Sequence, residues 1–142
     1  MTELILLTVS WALVGLIWTI QLVHYPSFHY IDPAEFSAFH QHHTNSITLI
    51  VLPLMFAELG LSAYLAYQYN FSWQYLLPLF IVLAIWASTF LISVPLHNQL
   101  ATVKNELLIK KLVDTNWIRT VLWTGKAVLI SFLYNHTSTH FF

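Results

Sequence analysis

Four histidines in this chain are spaced so that they could hold one metal ion or one haem group. His40 and His43 are three positions apart, so a helix through them would place both imidazoles on one face. His24 and His97 lie at the ends of two other apolar runs. Imidazole nitrogens bind zinc, copper, iron and haem iron, and the chain has no cysteine that could supply a thiolate. We therefore predict that these four residues bind haem or a transition metal, namely copper, iron or zinc.

Three other polar residues are predicted to support this site. Gln21 precedes His24 by one helical turn, and Asn116 and Arg119 are three positions apart near the start of the last apolar run. Amide and guanidinium groups can orient a ligating histidine or bind an anion such as a haem propionate. We expect Gln21, Asn116 and Arg119 to have one of these roles. The sequence leaves open the roles of the remaining histidines, which are His29, His42, His136 and His140.

Glu58 and Lys126 are predicted to form an ion pair deeper in the membrane. Counted from the same membrane face, Glu58 lies about 12 residues into the apolar run at 46–68 and Lys126 about 9 residues into the last apolar run, so their depths differ by only ~5 Å. A charged side chain in hydrocarbon is costly unless it is paired. The pair could be a structural clasp or part of a substrate contact or proton path, and both interpretations stay open.

The composition indicates that membrane-spanning helices position these residues. Hydrophobic residues make up 58% of the chain and charged residues 8%, whereas soluble domains carry about a quarter charged residues. A helix needs ~20 residues to cross the hydrocarbon of a bilayer. We predict an all-α fold, one domain over residues 1–142, in which a bundle of four transmembrane helices occupies roughly 4–24, 33–68, 74–96 and 117–135.

The second helix is predicted to extend beyond the membrane at its N-terminal end. The segment from Asp32 to Glu35 is a typical helix start, with an aspartate that can cap and a proline at the first helical position. The next helix-breaking residue is Pro53, where we expect a kink. Tyr25-Pro26 is expected to end the first helix.

Several short motifs resemble those of a group of small, mostly bacterial, membrane proteins, and the resemblance covers nearly the whole chain. It implies a four-helix protein of the bacterial inner membrane and implies no reaction. The motifs that carry it are Gln21-x-x-His24-Tyr25-Pro26-x-Phe28, Phe39-His40-x-x-His43, Pro53-x-Met55-x-x-Glu58, Val94-Pro95-Leu96-His97 and Asn116-Trp117-x-Arg119-Thr120.

The distribution of cations predicts how the chain is oriented in that membrane. Cytoplasmic loops are enriched in lysine and arginine, so the first and third connections should be cytoplasmic and both termini should lie outside. The chain would then be a multi-pass protein of the bacterial inner (plasma) membrane. Four of the five cations lie in or just after the third connection, namely Lys104, Lys110, Lys111 and Arg119.

Three functions follow from these residues and stay open. The first is a membrane protein that binds a metal ion or haem near the cytoplasmic face, with oxidoreductase as the expected class if it is an enzyme. The second is a small-molecule transporter or binding protein that uses Glu58 and Lys126. The third is an accessory subunit without chemistry, in a homo-oligomer or a larger membrane complex. The expected partners are the lipid bilayer and a small-molecule ligand, and the formal net charge of −1 argues against nucleic acid.

Overall fold

Four long helices account for nearly all of the described chain. The computed structural model describes residues 1–139, and in that range it contains helices and no strand, which confirms the all-α prediction. Short connections join each helix to the next, so sequential helices run antiparallel. We number them α1 (Thr2–Tyr30), α2 (Pro33–Gln68), α3 (Trp73–Leu100) and α4 (Glu106–Thr139).

Three of the four helices are long and apolar enough to cross a membrane, namely α1, α2 and α3. This finding supports the assignment of the chain to the membrane proteins. The fourth helix is long enough but is less apolar than the other three, because Arg119 and Lys126 interrupt its apolar stretch. It nevertheless packs along both α1 and α3. The two connections at residues 31–32 and 101–105 lie at one end of the bundle, which we call the two-loop end.

Helix α1 continues past Tyr25-Pro26, so the prediction that it ends there was wrong. A π-helical turn at Ile20–His24 is followed by an α-helical turn at Tyr25–Ser27 and a 3-10 turn at Phe28–Tyr30. In an α-helix the proline ring clashes with the carbonyl four residues back, and the wider π turn moves that carbonyl away. The chain therefore stays helical through the proline and carries Tyr25 into the bundle, where it is buried.

Helix α3 passes a proline in the same way. A π turn at Thr89–Ser93 precedes the segment Val94–Leu100, which contains Pro95 within its first turn. The helix therefore ends at Leu100 rather than at the predicted residue 96. The first π turn ends at the predicted ligand His24. The segment after the second π turn contains the predicted ligand His97.

Helix α4 begins at Glu106 rather than at the predicted residue 117. The side chain of Asn105 starts it, because its Oδ1 atom accepts hydrogen bonds from the backbone N–H groups of Leu107 at 3.0 Å and Leu108 at 3.1 Å. Residues 106–116 were predicted to be a loop because they include the charged residues Glu106, Lys110, Lys111 and Asp114. Two of its apolar side chains, Ile109 and Leu112, are fully buried in the bundle, whereas Leu107 is exposed.

The start of α2 is capped as its sequence indicates. The Oδ1 atom of Asp32 accepts a hydrogen bond from the N–H of Ala34 at 2.8 Å, and Pro33 occupies the first helical position. The helix runs without interruption to Gln68 and includes Pro53. His40 and His43 lie near its beginning and Glu58 lies in its second half, and all three side chains are buried.

Candidate functional site

Four histidines from three helices come together at the two-loop end of the bundle. The ring centroids of His24 and His43 are 4.0 Å apart, those of His40 and His97 are 5.2 Å apart, and those of His43 and His97 are 5.9 Å apart. We call these four residues the histidine cluster. Helix α1 supplies one of them, α2 supplies two and α3 supplies one, so the cluster depends on the packing of all three helices.

Three buried ring nitrogens of this cluster have no partner among residues 1–139. His40 Nε2 lies 2.9 Å from His97 Nδ1, which is a hydrogen bond between two imidazoles. In contrast, His24 Nε2, His40 Nδ1 and His43 Nε2 are buried and make no hydrogen bond within the described part of the chain. A buried polar atom without a partner costs about 1–3 kcal/mol. These atoms are therefore places where a metal ion, a ligand or an ordered water would be stabilised.

The ring nitrogens do not yet surround a common point. Within residues 1–139 no three histidine, aspartate or glutamate side chains are arranged as a metal-binding group. Coordination by this cluster would thus require some rings to rotate about their side-chain bonds.

The three supporting residues form one chain of hydrogen bonds that leads to the cluster. Asn116 Nδ2 donates to Gln21 Oε1 at 2.8 Å, and Arg119 Nη2 donates to Asn116 Oδ1. The same Nη2 atom donates to the hydroxyl of Tyr25 at 3.2 Å. This hydroxyl lies 3.0 Å from His97 Nε2. Both ring nitrogens of His97 are therefore engaged.

Tyr25 is the site residue that the sequence analysis missed. It links Arg119 to His97 and is 4% exposed. At 100° per residue a regular helix would direct it well away from His24. The π turn before it changes that direction, and the sequence offers no signal for a π turn beyond the proline at the next position.

Glu58 and Lys126 form a completely buried ion pair. Lys126 Nζ lies 2.7 Å from Glu58 Oε1, and the two side chains are 0% and 1% exposed, respectively. Lys126 also donates to Ser10 Oγ at 2.9 Å, and Trp123 Nε1 donates to Glu58 Oε2 at 2.9 Å. Each charge thus has a second hydrogen-bond partner, as a stable buried pair requires.

A cavity of about 380 Å³ adjoins the histidine cluster. One end is polar, and the rest is mostly apolar and is lined by residues of α1, α2 and α3 together with Trp123 of α4. Neither Glu58 nor Lys126 lines it. Its polar end is formed by Tyr25, His40, His97 and Arg119, and its apolar part includes Leu13, Ile17, Ile47, Val51, Met55 and Trp86.

A second cavity lies at the start of α2 and has a polar lining. Its volume is about 490 Å³, and Ser37, Gln41, Thr44 and Asn45 form most of its polar lining. His40, Thr44 and Ala101 line both cavities, so the two cavities adjoin each other.

His29 and His42 are not part of the histidine cluster. His29 pairs with Glu106 across the two-loop end, where Lys104 Nζ also lies 3.0 Å from Glu106 Oε1. The hydrogen bond from Lys104, with that from His29, holds the pKa of Glu106 below its ordinary value. His42 is exposed on α2. His140 lies outside the described residues, and His136 belongs to the last part of α4.

Comparisons of this chain with protein-family models, with curated proteins and with solved structures found no match. Its function therefore has to be inferred from the geometry of the site.

Proposed function

We propose that this chain is an integral membrane protein that binds one transition metal ion through the histidine cluster. The observation that carries the proposal is the group of three buried, unpartnered nitrogens on His24, His40 and His43. Three imidazole ligands with an open fourth position are a common arrangement for catalytic zinc and are equally suited to copper and iron. Copper or iron would add redox chemistry, and the enzymatic class would then be an oxidoreductase.

His97 has a supporting role in this proposal rather than that of a fourth ligand. Both of its ring nitrogens already have partners, His40 on one side and Tyr25 on the other. A histidine that binds a metal through one nitrogen usually uses the other in a hydrogen bond that fixes its orientation. His40 can bind through its free Nδ1 while its Nε2 stays bonded to His97.

Haem fits this arrangement less well than a single ion does. Two histidines that bind one haem iron need nitrogens about 4 Å apart on opposite sides of a flat porphyrin. Here the His40 and His97 nitrogens are 2.9 Å apart, and the centroids of His24 and His43 are 4.0 Å apart. Neither of these pairs leaves a slot for a porphyrin between its rings. The rings of His43 and His97 are farther apart, at 5.9 Å, but both ring nitrogens of His97 already have partners.

We also propose that α4 crosses the membrane through residues 117–135, as a fourth span. Its charged side chains, Arg119 and Lys126, are 6% and 0% exposed, so they face the other helices. Its exposed face presents apolar side chains such as Val121 and Phe132, which suit lipid. The cations near the start of α4 favour a cytoplasmic two-loop end in a bacterial inner membrane, with both termini outside.

Metal analysis of the purified protein tests the proposal. Protein from cells supplied with iron, copper and zinc should contain about one metal ion per chain after purification in detergent. His24→Ala and His43→Ala should each remove most of that metal. His42→Ala is the matched control, because this neighbouring histidine is exposed and should leave the metal content unchanged.

Two results would overturn the proposal of a metal site. One is a correctly folded wild-type protein that contains no iron, copper or zinc. The other is full metal content in a folded variant that carries both His24→Ala and His43→Ala. An absorption spectrum of the same sample should show no Soret band, and such a band would favour haem instead.

The alternative in which Glu58 and Lys126 contact a transported molecule has less support, because neither side chain lines a cavity described above. An accessory subunit without chemistry would tolerate the loss of His24 and would co-purify with a larger partner in a fixed ratio. The metal analysis separates this alternative from the proposed site.

A further inference from the structure

The charges buried inside the bundle do not balance. Apart from histidines, the buried charged side chains of residues 1–139 are Glu58, Arg119 and Lys126. Glu58 and Lys126 neutralise each other. Arg119 is 6% exposed and makes no ion pair with any acidic residue in the described range. One positive charge is therefore left without a counterion among the described residues.

A buried charge without a counterion is energetically costly. Arg119 cannot avoid this cost by losing its proton, because a guanidinium group stays charged in proteins. Its hydrogen-bond partners, the Asn116 amide and the Tyr25 hydroxyl, are neutral. Its Nε atom is buried and has no partner within the described part of the chain. A buried cation with only neutral partners and an unused donor is a strong binding point for an anion.

Arg119 lines the 380 Å³ cavity, and the shape of that cavity shows what kind of anion would fit. From His40 to Met55 the lining follows α2 for 15 residues, or about 22 Å at 1.5 Å per residue. The cavity is thus long and narrow, polar at one end and mostly apolar along its length. This shape suits a single hydrocarbon chain with one charged headgroup.

The cavity also reaches the outer surface of the bundle. Leu52 on α2 and Phe90 and Val94 on α3 line it, and these side chains are 39%, 55% and 39% exposed. They belong to two of the helices that are apolar enough to cross a membrane. A molecule dissolved in the bilayer could therefore enter between α2 and α3 without passing through water.

We propose that this cavity binds an anionic amphiphile from the membrane, with one hydrocarbon chain and a carboxylate or phosphate headgroup. The headgroup pairs with the Arg119 guanidinium and accepts a hydrogen bond from its free Nε–H group. The chain lies along the apolar lining towards Met55. The inference goes beyond the metal site and does not depend on it, because the charge of Arg119 is unmatched whether or not a metal ion is bound.

Equilibrium binding of two radiolabelled probes tests the proposal. The full-length protein is placed in phosphatidylcholine nanodiscs with EDTA present, and dodecanoate and dodecyl phosphate are titrated in. One molecule of either probe should bind per chain, saturably. Dodecanol, which has the same chain and no charge, should bind at least ten-fold more weakly. Inorganic phosphate at the same concentrations should not compete.

Variants of the two ends of the cavity make the test specific. Arg119→Gln should weaken binding of both probes at least ten-fold, whereas Lys111→Gln, which removes an exposed charge from the same helix, should not. Val51→Trp fills the apolar part without touching the headgroup end and should also abolish binding, so the proposal can be tested even if Arg119→Gln fails to fold. His24→Ala, which tests the metal site, should bind both probes as the wild type does.

Three outcomes would overturn the inference. The first is equal affinity for dodecanol and dodecanoate, which would show that the charge is not recognised. The second is competition by inorganic phosphate, which would indicate a site for a free anion from water. The third is unchanged binding in a folded Arg119→Gln or Val51→Trp variant.

Discussion

Replacing Lys126 by methionine should destabilise the bundle by about 3–5 kcal/mol, the range observed when one member of a buried ion pair is removed. The change leaves the carboxylate of Glu58 inside the protein with one remaining hydrogen bond, which comes from Trp123. The side chains of the pair are 0% and 1% exposed, so water cannot replace the lost ammonium group. Ser10 loses its bond to Lys126 as well.

A second substitution should restore most of that stability. When Glu58→Gln accompanies Lys126→Met, no charge remains in the pair, and the glutamine oxygen can still accept the hydrogen bond from Trp123. Buried pairs replaced by well-packed neutral residues are often as stable as the original pair. We therefore expect the two substitutions to be coupled by at least ~2 kcal/mol in a double-mutant cycle.

The assay is the unfolding equilibrium in mixed micelles of a mild detergent and sodium dodecyl sulfate, followed by circular dichroism. Lys110→Met is the matched control, because Lys110 pairs with Asp114 on the exposed surface of the same helix at 2.5 Å. It should cost no more than about 0.5 kcal/mol. Additive effects of Glu58→Gln and Lys126→Met, or a loss below ~1 kcal/mol for Lys126→Met alone, would refute the reasoning.

Two further predictions concern the two-loop end. Tyr25→Phe should lower stability by about 1–3 kcal/mol, because Arg119 and His97 both lose a buried partner, and an unchanged unfolding midpoint would contradict this role for the hydroxyl. The pKa of Glu106 is lowered in the folded protein by its contacts with Lys104 and His29. These contacts therefore stabilise the fold at pH values above the ordinary pKa of glutamate, ~4.3. The stabilisation is lost as the pH falls through the lower pKa of the folded state. The unfolding temperature should therefore fall less between pH 6 and 3 in Glu106→Gln than in the wild type. Equal pH profiles for the two proteins would show that Glu106 does not contribute to stability.

The faces of α2 could be predicted from the sequence because that helix is regular. His40, His43 and Glu58 are separated by nearly whole turns, and the structure buries all three. The beginning of α2 could also be predicted from the sequence, because the cap at Asp32 is an interaction between neighbouring residues. Regular helical spacing and a typical capping sequence were sufficient for these two features, but the start of α4 was missed although Asn105 caps it through a local contact.

The rest of the site depends on features that do not leave a local pattern. The π turns at Ile20–His24 and Thr89–Ser93 change the direction of every side chain after them, so Tyr25 could not be placed by counting at 100° per residue. The cavity depends on which helices are neighbours, and nothing in a single sequence fixes that order. The early start of α4 was hidden because its first two turns carry the charges expected of a loop.

Because α2 is longer than the hydrocarbon layer is thick, one side of the site borders water and the other borders lipid. Its 36 residues make a rod of about 54 Å, and even at a tilt of 40°, the upper end of the usual range, the rod would rise about 41 Å across a hydrocarbon layer ~30 Å thick. About 15 Å of the rod, or nearly three turns, must therefore stand outside the hydrocarbon. Exposed side chains are polar near its beginning, such as Gln41 and Asn45, and apolar further along, such as Leu49 and Phe56, so the protruding end is the N-terminal one. His40 then lies at the boundary, where the proposed metal ion would arrive from water and the proposed amphiphile would arrive sideways from lipid.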